Sequence, residues 1–374
     1  MTKICSRCVF DESISKISFD EKGVCNYCKE QDQLEQEYPC GKKGEKILRD
    51  LVKKIKKAGK GRKYDCAIGV SGGCDSSYLV YKAKQLGLRP LAVHYDNTWN
   101  TNIATQNIHR VLKKLNVDLY TYVVDNEEMD ELFKAFLKAS VPEIEAPTDI
   151  GLATVLYIAA AKYKIKYIFN GHSFRTEGIS PPNAFYFDGK YIESVNKKFG
   201  TGPIKTFPNL WFSKWIRWLL FNRVRRIRPI YYLTYDKETV KKFLNKEFGW
   251  QWYGGHHNEN RFTIFSNRYY MPKKFNKDVR MLEFSALIRS GQMKREDAVK
   301  ELKKIPPLDK EIVPFVKKRL GYSDKEFEKI MKAPLKTYLD FKTYKPLFKI
   351  LRPFFWVMYK VDLVPKSFYM KYTK

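Results

Sequence analysis

The stretch Ala67-Ile68-Gly69-Val70-Ser71-Gly72-Gly73-Cys74-Asp75-Ser76-Ser77 decides the fold. Its apolar start predicts a strand over 65–70, and the residues after the two glycines predict a helix over 76–86. Gly72 and Gly73 let the backbone approach a ligand. The helix behind them offers unpaired N–H groups and the positive end of its dipole, which is the chemistry of a phosphate cradle. Ser71 and Ser76 add hydroxyl donors. Asp75 sits badly beside phosphate unless a cation bridges the two, which calls for Mg²⁺.

Outward from this loop, strands and helices alternate. Strands are expected over 89–95, 119–124 and 167–170, and helices over 102–115, 129–138 and 150–163. This pattern predicts a doubly wound parallel sheet with helices on both faces. Such sheets bind ligands outside the carboxyl ends of their strands. His94 and Gly171 are therefore candidates for the nucleotide. His172 and Glu177 join Asp75 as candidate catalytic groups, and Arg175 is a candidate for substrate.

Residues 172–210 are rich in Gly, Pro, Asn and Phe and are expected to form long active-site loops. The block from Gly249 to Thr263 concentrates glycine, histidine and aromatics. His257, Glu259 and Arg261, with Lys274 beyond them, are expected to line a pocket for a sugar nucleotide, with cations on its phosphates. Residues 278–304 and 309–332 read as helical. Three regions follow: 1–44, 45–275, and a helical part over 276–374 with a basic aromatic tail.

Residues 1–44 hold Cys5-Ser-Arg-Cys8 and Cys25-Asn-Tyr-Cys28, sixteen residues apart. Four thiolates at this spacing suit a tetrahedral Zn²⁺ site that staples a segment too short for its own core. An iron–sulfur cluster or four reduced thiols are the alternatives.

The net charge of +29 attracts polyanions: nucleic acid, anionic lipid or phosphorylated small molecules. No secretory signal and no run of about eighteen apolar residues is present, so a cytoplasmic protein is expected. Over 211–228, Trp211, Trp215, Trp218 and Leu219 fall on one side of a helix among several cations. That suits a peripheral contact with the inner face of a membrane, and the tail repeats the chemistry. The alternative is packing on the enzyme body or a partner subunit.

Ser71 to Ser76 resemble the SGGxDS signature of the PP-loop ATP pyrophosphatases. The resemblance implies an adenine nucleotide alpha hydrolase-like fold, use of ATP with Mg²⁺, AMP transfer to an oxygen, and pyrophosphate release. Many relatives have Lys where this chain has Cys74. With Phe19–Cys28, Ile227-Arg-Pro-Ile-Tyr-Tyr232, the Tyr-Gly-Gly block and Leu287–Ala298, most of the chain resembles the N-acetyl sugar amidotransferases of bacterial surface-polysaccharide (O-antigen, LPS) and nonulosonic-acid pathways. It departs at His256-His257, where the family has Lys-His. The resemblance implies conversion of an acetamido to an acetamidino group on a nucleotide-linked N-acetyl sugar. It also implies ammonia from a separate glutaminase subunit with a cyclase-like companion.

Two other readings compete. A tRNA-modifying PP-loop enzyme fits the charge and the knuckles, but no cysteine follows Cys74 to carry sulfur. A zinc-bearing nucleic-acid or membrane-binding module without catalysis fits the charge but not the intact loop. Nucleic acid is therefore not the expected partner.

Overall fold

The computed structural model describes residues 3–181, 184–306 and 308–373. Strands β1 (Cys66–Gly69), β2 (Pro90–Asp96), β3 (Leu119–Val123), β4 (Tyr167–Phe169) and β5 (Arg225–Ile227) form one sheet. Its order is β3-β2-β1-β4-β5, with parallel pairings throughout. The chain steps one way from β1 to β3 and then returns to the other side of β1. The crevice between β1 and β4 is thus the point where strand order reverses, the place where such sheets take ligands.

Helices α1 (Asn26–Glu37) and α2 (Gly41–Ala58) precede the sheet. Helices α3 (Cys74–Gln85), α4 (Asn102–Leu115), α5 (Asn126–Ala139) and α6 (Ala146–Lys162) connect its strands. Strand side chains alternate between two cores, as the pleat requires. Cys66, Ile68, Val70 and Ala92 pack with Val52, Ile55, Leu79 and Ile108 on one face. Ala67, Leu91, Val93 and Ile168 pack with Phe133, Phe136, Val155 and Ala159 on the other. Side-chain caps from Thr101 and Asp125 hold the starts of α4 and α5.

Two expectations need correction. The loop expected over 172–210 contains α7 (Gly189–Phe199), capped by Asp188; Pro182 and Asn183 lie outside the described residues. The single helix read across 211–228 is instead α8 (Phe212–Leu220), a turn with Arg223 at φ 52°, and then β5. The arginines of β5 concealed a strand, although charge on an edge strand is a common protection against edge-to-edge pairing.

Helix α9 (Lys237–Phe248) follows, capped by Asp236. Helices α10 (Arg261–Phe265) and α11 (Met271–Phe275) flank a π-helical turn over Ser266–Tyr270. The remainder is α12 (Arg280–Arg289), α13 (Arg295–Lys303), α14 (Ile312–Leu320), α15 (Asp324–Lys332), α16 (Lys345–Ile350), α17 (Arg352–Lys360) and α18 (Lys366–Tyr372).

The tail covers the aromatic face of α8. Trp215 is buried against Phe355 at 5.9 Å and Phe368 at 4.8 Å between ring centroids, and Trp218 stacks on Tyr157 at 5.4 Å. That face is spent on the chain's own core, so α8 does not present it to a bilayer. Among the described residues no helix is long and apolar enough to cross a membrane.

Candidate active site

The loop from Ser71 to Ser76 leaves the end of β1 and enters α3 in the β1–β4 crevice. Gly72 has φ 81°, and a Cβ there would collide with the Ala104 carbonyl, so only glycine closes the turn. Its carbonyl accepts from Trp250 Nε1 at 2.9 Å and Asn107 Nδ2 at 3.3 Å. These bonds pin the loop and lay the 249–263 block over it. The N-cap of α3 is Gly73, which supplies no side chain, so the helix start has no side-chain cap.

Carboxylates ring this loop. Asp75 Oδ1 accepts from Tyr235 OH. Glu259 Oε1 accepts from Ser71 Oγ at 3.1 Å, while its Oε2 is buried with no partner among the described residues. Burial, and then the charge of Asp75, push Glu177 up to about 7. Unspent acidic oxygen beside a phosphate cradle favours a divalent cation that enters with the phosphates, next to Asp75 and Glu259. Gly171 abuts the loop: a Cβ there would lie 3.5 Å from Ser76 N.

Histidines lie beside these carboxylates. His172 Nδ1 lies 3.2 Å from Tyr231 OH, and burial, then Arg228, lower it to about 3, so it is neutral. Burial alone would also lower His257, but the nearby carboxylate of Glu259, joined by Glu177, carries it up to about 9. The His256 ring is tilted against His257 with centroids 3.8 Å apart, and His256 is held well below its usual value by burial and by His257.

Other candidates have different work. Arg175 is buried, pairs with Glu35 on α1, and donates to the Tyr231 carbonyl at 2.8 Å, so it ties α1 to the core. His94 uses Nδ1 on the Val70 carbonyl at 2.9 Å and Nε2 on Asn100 at 3.3 Å. Both of its ring nitrogens brace the strand end. Lys274 gives its ammonium to the carbonyls of Ile330, Met331 and Ala333 at 2.7, 3.0 and 2.9 Å. It closes the end of α15, where a cation suits the helix dipole. Arg261 lies 5.1 Å from the Phe315 ring centroid, against α14. These four side chains are engaged in structure rather than facing the crevice.

The sequence reading missed Lys237 and Tyr235. Asp236 caps α9 and so sets Lys237 at its first position, where Nζ reaches His256 Nδ1 at 2.8 Å and Glu283 at 3.4 Å. The Tyr-Asp-Lys-Glu-Thr string carried that helix-start signal.

At the N-terminus the four cysteines converge, all buried, with Sγ atoms within 4.8 Å of one another. Cys5–Cys28 and Cys8–Cys25 lie 3.8 Å apart, and Cys25–Cys28 3.6 Å. Four sulfurs at 2.3 Å around one tetrahedral ion are about 3.8 Å apart. Thiolates on separate irons of a cluster would stand wider. The donor set therefore fits a single soft ion.

Residues 259–354 match the family model described as LPS biosynthesis protein WbpG-like, C-terminal domain. No curated protein matches the chain. Among solved structures, the chain is similar to an NMN synthetase from Francisella tularensis at 14% identity and TM-score 0.34, covering 78% of this chain and 98% of that one. It is similar to an NH3-dependent NAD synthetase from Campylobacter jejuni subsp. jejuni at 13% and 0.33, with coverage of 78% and 98%. It is also similar to the U34-tRNA thiolase NcsA from Methanococcus maripaludis at 15% and 0.34, with coverage of 87% and 90%. The family match begins at Glu259, on the wall of the crevice, and runs through the C-terminal helices. Over residues 259–354 the chain is similar to the C-terminal domain of WbpG-like LPS biosynthesis proteins.

Proposed function

We propose that the chain is an ATP-dependent amidotransferase that converts the acetamido group of a nucleotide-linked N-acetyl sugar into an acetamidino group. The observation that carries the reading is the uncapped α3 start behind Ser71-Gly72-Gly73, set in the β1–β4 crevice and ringed by Asp75, Glu177 and Glu259. The LPS-biosynthesis family match supports a sugar substrate.

An amide carbonyl is a poor electrophile and its oxygen a poor leaving group. Attack by that oxygen on the α-phosphorus of ATP expels pyrophosphate and gives an O-adenylated imidate. Ammonia adds to the carbon, and the C–O bond breaks to release AMP and the amidine. The loop N–H groups hold the departing phosphates. Mg²⁺ entering with the phosphates beside Asp75 and Glu259 would neutralise charge on them. His172 is neutral, and in this proposal its ring orients the amide. Positioning supplies much of the rate.

Cys74 is buried, and burial, then Asp75, push its thiol up to about 12. Such a thiol is a poor sulfur carrier, which argues against a tRNA-thiolating reading. Ammonia comes, in this proposal, from a separate glutaminase with a cyclase-like companion. Zn²⁺ is the proposed occupant of the four cysteines, as a structural ion. The test is pyrophosphate release by the purified chain. It should require a nucleotide N-acetyl sugar and proceed with ammonium salt; release driven equally by a sugar without the acetamido group would refute it.

A further inference from the structure

Glu177, His256 and His257 bring one ligand atom each within 4.8 Å, an arrangement that resembles a two-histidine, one-carboxylate metal site. The surroundings oppose a cation there. Lys237 Nζ lies 2.8 Å from His256 Nδ1. A protonated lysine only donates, so Nδ1 is the acceptor and the His256 proton sits on Nε2. A metal at Nδ1 would face the ammonium directly, and Nε2 holds a proton rather than a lone pair. The trio with its lysine presents donors.

We propose that Lys237, His256 and His257 form a phosphoanion site that grips the pyrophosphate end of the nucleotide beside the start of α3. This rests on the proposed ATP-dependent reading and names residues that do the binding. The loop Ser71-Gly72-Gly73-Cys74-Asp75-Ser76 contains no lysine or arginine, so its N–H groups need a partner of full charge. Lys237 is 5% exposed, and its ammonium is kept charged in the interior by Asp75, Glu283 and Glu177 against the pull of burial. Asp75 belongs to the loop, so the ammonium stands close to the cradle. An ammonium has three donors; the bond to His256 and the 3.4 Å approach to Glu283 account for two. His257 is tied to the loop through Glu259, whose Oε1 lies 3.8 Å from His257 Nδ1 and 3.1 Å from Ser71 Oγ. Its backbone takes φ 58°, in the left-handed region. Asp75, Glu177, Glu259 and Glu283 nearby supply negative charge for Mg²⁺ to enter with the phosphates.

The experiment is direct binding of MgATP, and separately of inorganic pyrophosphate with Mg²⁺, to the full chain by calorimetry. The variants are Lys237→Met, Lys237→Arg and the double variant Lys237→Met/Glu283→Gln. Loss of a charge-assisted phosphate contact should weaken both ligands roughly 10- to 100-fold in Lys237→Met. Lys237→Arg should recover part of the loss. The double variant removes the carboxylate stranded by the mutation, so it carries the test if the single variant does not fold. It should restore thermal stability without restoring affinity. Wild-type affinity in folded Lys237→Met or in the folded double variant overturns the proposal. So does tighter pyrophosphate binding in Lys237→Met, which a metal seated on Glu177, His256 and His257 would produce. A wild-type chain that binds neither ligand would instead refute the ATP-dependent reading itself.

Discussion

The guanidinium of Arg289 donates to Cys8 Sγ at 3.2 Å and to Cys28 Sγ at 3.4 Å, with the arginine buried between α12 and the cysteines. A buried cation on sulfur implies thiolates, and four thiolates around a divalent ion leave two negative charges to balance. Arg289 therefore joins the N-terminal module to the C-terminal helices through charge. Replacing it with Met should weaken metal retention about 10- to 100-fold against a chelator, the usual cost of losing an outer-shell partner. Unchanged competition curves would show that Arg289 merely packs there.

Cys25→Ser should drop metal content well below one atom per chain, because the ion supplies what this short segment lacks in core. Hydrogen exchange should accelerate over α1 and the residues before it, while the sheet stays protected. Retained metal and unchanged exchange would remove the structural role assigned to the four cysteines.

Asp75→Asn keeps the shape beside Tyr235 but loses the charge for Mg²⁺. Pyrophosphate release should fall by about 100-fold or more, with far-UV circular dichroism and melting temperature close to wild type. Comparable turnover would separate Asp75 from the metal.

His172 carries a pH signature. Its folded value lies near 3 against an ordinary 6.5, lowered by burial and then by Arg228. The unfolded chain takes up this proton as pH falls through 6.5, and the folded chain does not until much lower pH. The stability it contributes is complete above that point and is lost on acidification. Between pH 7 and 5 the loss is about 1–2 kcal/mol, allowing for partial exposure. His172→Gln should flatten that part of the urea-denaturation profile relative to wild type; parallel profiles would count against a neutral buried ring.

The sheet was legible where composition and period agreed. Residues 65–70 and 89–95 are apolar runs ending at glycine or aspartate, and β1 and β2 form there. β5 was not legible, because Arg225-Arg226 reads as solvated charge until its backbone is seen pairing with β4. The site divides similarly. Ser71 to Ser76, Gly171, Glu177, His257 and Glu259 are brought together by local motif and strand ends. Arg175, Arg261 and Lys274 are cations whose side chains turned to Glu35, Phe315 and the α15 carbonyls. Sequence gives the donor type but not its direction. Lys237 shows the converse: an ordinary helix-start lysine becomes a site residue only once α9 packs beside α3.

The most direct test of the central claim incubates the purified chain with a nucleotide-linked N-acetyl sugar, MgATP and ammonium salt, and follows pyrophosphate, AMP and sugar mass together. The account predicts AMP and pyrophosphate in equal amounts, and a sugar lighter by the difference between oxygen and NH. Pyrophosphate formed with the acetamido group intact, or a modified sugar formed without AMP, would contradict it.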